Sequence, residues 1–128
     1  MTAGLRALVV DDNRLNSRLV HMFLGRLGLA VHAVDSGALA LQALKQESFC
    51  LVVLDLRMPA MSGEQVCGII RQVPVLQHLP VVAYTAHRTA DERARLQAAG
   101  FTDLVTKPMS FMDVKQLCQR LGIGQVGA

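Results

Sequence analysis

The sequence predicts a single α/β domain in which five parallel strands form one doubly wound sheet flanked by helices, in (βα)5 order. Three observations lead there. Short apolar runs alternate with longer amphipathic segments, five times along 128 residues. The runs Leu8-Val9-Val10 and Leu51-Val52-Val53-Leu54 contain no polar alternation, which marks strands covered on both faces of a parallel sheet. Acids, a threonine and a lysine fall at the ends of these runs, where such a sheet gathers its polar residues along one edge.

Taken in order, the strands are expected at Leu5–Val10, Ala30–Asp35, Phe49–Leu54, Pro80–Thr85 and Asp103–Thr106. The helices are expected at Arg14–Leu27, Gly37–Gln46, Gly63–Val73, Thr89–Ala99 and Phe111–Leu121. Gly28 and Gly100 follow the first and fourth helices, where a residue free to turn left-handed ends a helix at little cost. Ser36 suits the cap of the second helix, and Ser110 with Asp113 three residues on reads as a capping box opening the fifth. Asn13 has the same bland reading, an N-cap for the first helix. Alternation of this kind implies right-handed crossovers, with helices on both faces of the sheet.

Composition narrows the function. With 52% hydrophobic residues the chain can bury one core without staples, so residues 1–122 are expected to form one domain and 123–128 a flexible tail. No apolar stretch approaches the ~18 residues of a membrane span and no secretory leader opens the chain, which predicts a cytoplasmic protein with no membrane contact by this domain. Three separated cysteines, Cys50, Cys67 and Cys118, without a C-x-x-C pair read as reduced, mostly buried small apolar residues. The net charge of +3 comes from scattered Lys and Arg, and one Tyr, four Phe and no Trp leave few stacking platforms, which argues against nucleic-acid binding.

The expected strand ends select Asp11 and Asp12 after the first strand, Asp55 after the third, Thr85 on the fourth and Lys107 after the fifth. Three converging carboxylates repel one another, and a hard divalent cation relieves the repulsion. Oxygen-only donors favour Mg²⁺ over zinc. Lys107 adds a mobile positive charge and Thr85 a hydroxyl, so together they outline a pocket for a dianionic phosphoryl group. An aspartate can serve as nucleophile and form an acyl phosphate. Asp55 is the candidate because it stands alone on the central strand, whereas the adjacent Asp11 and Asp12 suit an ion. Such a transfer needs positioning and charge neutralisation, with no general base, because the carboxylate is already ionised near pH 7.

The stretches Val9-Val10-Asp11-Asp12, Leu54-Asp55-Leu56-Arg57-Met58-Pro59-Ala60-Met61-Ser62-Gly63, Val82-Ala83-Tyr84-Thr85-Ala86 and Thr106-Lys107-Pro108 resemble the receiver domain of two-component response regulators, a flavodoxin-like fold. The resemblance covers nearly the whole chain. It implies that Asp55 is the phosphoacceptor, Asp12 a direct Mg²⁺ ligand, Asp11 a contributor through water, and the Arg57 backbone carbonyl a further ligand, with Mn²⁺ as a substitute metal. It also implies that Lys107 pairs with the phosphoryl group, that Thr85 is the switch hydroxyl, and that the Lys107–Pro108 bond is cis. The implied donor is a histidine kinase or a histidine phosphotransfer protein, and the implied output face is the fourth helix, fifth strand and fifth helix, including homodimers formed through it. Activity would be confined to self-catalysed phosphotransfer and slow autodephosphorylation. The segment Asp11-Asp12-Asn13-Arg14-Leu15-Asn16 is more similar to receivers attached to hybrid histidine kinases than to those of DNA-binding regulators.

Some positions depart from the family pattern. Many receivers carry Tyr or Phe three residues before the lysine, and here that position is Leu104, which offers neither hydroxyl nor ring. Arg57 and His87 lie two residues beyond Asp55 and Thr85, at the entrance to the phosphoryl group, and are expected to tune its lifetime. A phosphorylation-independent binding module is the alternative, opposed by the intact Asp11, Asp12, Asp55, Thr85 and Lys107. An aspartyl-phosphate hydrolase would need a second acid where Arg57 stands, and a flavodoxin-like cofactor binder would need a phosphate-cradling loop where Asp11 and Asp12 stand.

Overall fold

The computed structural model describes residues 5–86 and 89–123. Strands β1 (Arg6–Val10), β2 (Ala30–Val34), β3 (Leu51–Asp55), β4 (Val81–Thr85) and β5 (Asp103–Thr106) alternate with helices α1 (Arg14–Arg26), α2 (Gly37–Gln46), α3 (Gly63–Gln72), α4 (Ala90–Ala98) and α5 (Phe111–Leu121). The strands form one sheet in the order β2-β1-β3-β4-β5, and every neighbouring pair is parallel. This is the doubly wound sheet the sequence predicts. Strand order reverses between β1 and β3, so their carboxyl ends flank the crevice where such sheets bind ligands.

Each strand sends alternate residues into two apolar layers. Leu8, Val52, Leu54, Val81 and Ala83 pack with Ala40, Leu44, Val66, Ile70 and Leu96 beneath α2, α3 and α4. Val9, Leu51, Val53, Val82 and Tyr84 pack with Val20, Leu24, Val114 and Leu117 beneath α1 and α5. The central strands β3 and β4 are buried at every residue, which explains their unbroken apolar runs. At the sheet edge β2 is only partly covered.

Local chemistry sets the helix starts. Asn13, Ser36, Ser62, Thr89 and Ser110 each accept a hydrogen bond from the backbone N–H three residues on, removing one orphan donor per helix. The expected capping box at Ser110 and Asp113 is present, and a second, between Ser62 and Gln65, opens α3. Gly28 and Gly100 have φ of 93° and 106°, as their C-terminal role requires. Gly63 meets a different constraint. A Cβ there would lie 2.5 Å from the Asp55 carbonyl oxygen, so only glycine lets α3 begin this close to the end of β3.

Element ends shift by a residue or two from expectation. Pairing of Asp55 with Tyr84 makes Asp55 the last residue of β3 and not the first beyond it. Phe49 and Cys50 precede that strand, and Pro74–Leu76 forms a short 3-10 turn after α3 that the sequence reading did not anticipate. Cys67 and Cys118 are buried, Cys50 partly so, and all three are free thiols. Ile123 packs into the layer beneath α1 and α5, while 124–128, the remainder of the expected tail, lie outside the described residues. No helix among the described residues is long and apolar enough to cross a membrane.

Candidate functional site

The parallel register brings Asp11, Asp12, Asp55, Thr85 and Lys107 to one edge of the sheet. A carboxylate oxygen from each of Asp11, Asp12 and Asp55 lies within 4.8 Å of the others. Asp11 and Asp55 are each 3% exposed, whereas Asp12 faces solvent. Lys107 Nζ donates to Asp55 Oδ1 at 2.7 Å, and the Arg57 N–H approaches the same oxygen at 3.5 Å. The Lys107 backbone N–H donates to the Thr85 carbonyl at 2.8 Å, tying the ends of β4 and β5. The Lys107–Pro108 bond is cis, as the resemblance implied.

Charge in this cluster is incompletely balanced. Asp11 Oδ1 accepts the Asn13 N–H at 2.8 Å, while buried Oδ2 has no hydrogen-bond partner among the described residues. Burial raises the Asp11 carboxyl to about 6, and the nearby Asp55 charge adds to the rise against the Asn13 amide and Lys107. A buried carboxylate oxygen without a donor, facing two more carboxylates, suits a hard divalent cation. The side chains present therefore fit a divalent cation such as Mg²⁺, which Asp11, Asp12 and Asp55 would hold.

Around this centre lie residues that sequence reasoning did not single out. The Thr85 hydroxyl, 4% exposed, donates to Glu92 Oε2 at 3.4 Å. Glu92 pairs with Arg95 at 2.7 Å, and Arg95 in turn pairs with Glu64 on α3. These residues line an opening with Asp55, Arg57, Tyr84 and Ala86. Glu92 and Arg95 are an i,i+3 helix pair visible in the sequence, but nothing local points from them to Glu64. Tyr84 is 1% exposed, and Lys107 Nζ sits 5.0 Å over the centroid of its ring. Leu104 is buried in the layer beneath α2, α3 and α4, and His87 lies outside the described residues.

The family model for the response regulator receiver domain matches residues 7–121. Over 115 residues the chain is 43% identical to the sensor histidine kinase GacS of Pseudomonas protegens, covering 88% of this chain and 12% of that protein. Over 106 residues it is 37% identical to the signal transduction histidine-protein kinase BarA of Escherichia coli, covering 83% and 12%. The chain thus spans about an eighth of the length of these curated relatives. Among solved structures, the receiver domain of a Pseudomonas aeruginosa sensor histidine kinase, with a magnesium ion coordinated in its active site cleft, aligns with a TM-score of 0.84 at 26% identity, covering 94% of this chain and 99% of that one. The Vibrio cholerae chemotaxis response regulator CheY4 shares the fold, with a TM-score of 0.87 at 23% identity over 91% and 98% of the two chains. The chain belongs to the response regulator receiver family, and its curated relatives include the receiver regions of sensor histidine kinases.

Proposed function

We propose that Asp55 accepts a phosphoryl group from a phosphohistidine on a cytoplasmic histidine kinase or histidine phosphotransfer protein, and that the resulting acyl phosphate switches protein contacts. The Asp55 carboxylate forms the new O–P bond as the P–N bond to the donor imidazole breaks, and the leaving nitrogen takes a proton from solvent. Lys107 places its ammonium at the Asp55 oxygen and follows the charge onto the phosphoryl oxygens. Mg²⁺, or Mn²⁺ in its place, would be held by Asp11, Asp12, Asp55 and the Arg57 carbonyl, and when bound supplies neutralisation of charge shared between carboxylate and phosphoryl oxygens.

A phosphoryl group adds about −1.5 to −2 charge. Next to Thr85 it competes with Glu92 for the hydroxyl, and Glu92 sits on α4, so the face built from α4, β5 and α5 receives the change. That face is where we place the altered contacts, self-association included. With Leu104 at the aromatic position, the change is carried by Thr85 and α4 and not by a rotating ring on β5. Arg57, exposed at the opening, and His87 tune the lifetime of the adduct.

The observation that carries this reading is the Lys107–Asp55 contact of 2.7 Å inside the three-carboxylate cluster. Incubation with Mg²⁺ and acetyl phosphate tests it by intact mass. A phosphoryl adduct is expected on the wild type and its absence on Asp55→Ala; a wild type that stays unmodified, or an undiminished adduct on the variant, contradicts it.

A further inference from the structure

We propose that Tyr84 is a positioning residue for phosphoryl transfer, its ring forming the floor across which Lys107 reaches Asp55; this rests on the reading of Asp55 as phosphoacceptor.

Sheet order makes the contact unavoidable. Asp55 on β3 pairs with Tyr84 on β4, and Tyr84 pairs with Val105 on β5, so the three stand in one row. Val53, Tyr84 and Val105 all face the layer beneath α1 and α5, and Lys107, two residues past Val105, continues on that face. Strands lie about 4.8 Å apart, so β5 is about 10 Å from β3 and Lys107 must cross β4 to meet its partner. What it crosses is the Tyr84 ring, with Nζ 5.0 Å over the centroid and 2.7 Å from Asp55 Oδ1. The ammonium is therefore held by a carboxylate ahead and a π face below.

The ring, more than the hydroxyl, explains the residue. The Tyr84 hydroxyl is buried near the Met109 backbone amide and has no hydrogen-bond partner among the described residues. Lysine has a flexible four-carbon stem whose freedom must be restricted before it can act on one oxygen. A flat ring face limits the stem while leaving the ammonium free to slide, because attraction to a π face has no single donor direction. That permits the shift from carboxylate to phosphoryl oxygen. An aliphatic side chain fills similar volume without attracting the cation.

The test compares Tyr84→Phe, Tyr84→Leu and Tyr84→Met in the wild-type and Lys107→Ala backgrounds, reading the rate of phosphorylation by acetyl phosphate with excess Mg²⁺. Tyr84→Phe should stay within about twofold of wild type, while Tyr84→Leu and Tyr84→Met should be roughly fivefold slower, as loss of a partly desolvated cation–π contact implies. With Lys107→Ala already present, the same changes should alter the rate by less than about twofold, because the ring acts through the lysine. Equal slowing in both backgrounds, or none in either, overturns the proposal. NMR of the unphosphorylated protein gives a second readout. The Lys107 ε-methylene protons should be shifted upfield in the wild type and Tyr84→Phe and lose that shift in Tyr84→Leu, and an unchanged position in Tyr84→Leu also overturns it. Because this signal needs no phosphodonor, a failure of Asp55 to accept phosphate is told apart from a failure of the Tyr84 contact.

Discussion

Asp11 is held in the fold at a cost that a single substitution should reveal. Its carboxyl rises from an ordinary 3.8 to about 6, mainly through burial. A group whose folded-state value is raised binds its proton more tightly when folded, so stability falls as pH climbs from about 4 to about 6 and the proton is lost. At about 1.36 kcal/mol per pH unit, ionised Asp11 then opposes folding by about 3 kcal/mol. Asparagine keeps the shape and can still accept the Asn13 N–H. Without divalent cation, Asp11→Asn should therefore be more stable than wild type by up to about 3 kcal/mol near pH 8, a gap narrowing to less than about 1 kcal/mol near pH 4. The assay is urea unfolding in chelator across that range. Added Mg²⁺ should narrow the gap, because the wild type, with all three carboxylates, binds the ion more tightly than the variant. Equal stabilities in chelator at pH 8, or a gap that does not close on acidification, would refute the reasoning.

Other consequences of the geometry are as direct. Gly63→Ala puts a methyl group 2.5 Å from the Asp55 carbonyl oxygen and should cost about 1–3 kcal/mol in urea unfolding, with slower phosphorylation as the end of β3 shifts. Arg95→Ala removes pairs to Glu64 and Glu92, but the guanidinium is half exposed, so unfolding should show a loss below about 1 kcal/mol. Arg57→Ala opens the mouth of the site and should speed loss of the adduct, followed by mass, by roughly the few-fold one charged side chain beside an anion is worth.

The fold was legible because a parallel sheet covered on both faces leaves an unmistakable pattern. β3 and β4 are apolar almost throughout, and the acids, Thr85 and Lys107 must share an edge once the strands run parallel. Asn13, Ser36 and Ser110 were readable as caps because capping depends on neighbours three residues apart. What sequence could not supply was adjacency across the sheet. Tyr84 reads locally as an ordinary strand residue, and only its pairing with Asp55 on one side and Val105 on the other places it under Lys107. Glu64 and Arg95 meet across 31 positions of chain for the same reason. The burial of Asp11 beside an exposed Asp12 was equally invisible, since the two are neighbours in sequence and differ only in which way the loop turns them.

The central claim, that Asp55 carries the phosphoryl group, is tested most directly by treating the phosphorylated protein with borohydride and sequencing the peptides by mass spectrometry. Reduction of an acyl phosphate converts its aspartate to homoserine, so the account predicts homoserine at position 55, dependent on phosphodonor and Mg²⁺. Homoserine at position 11 or 12 instead, or aspartate unchanged at all three, would contradict it.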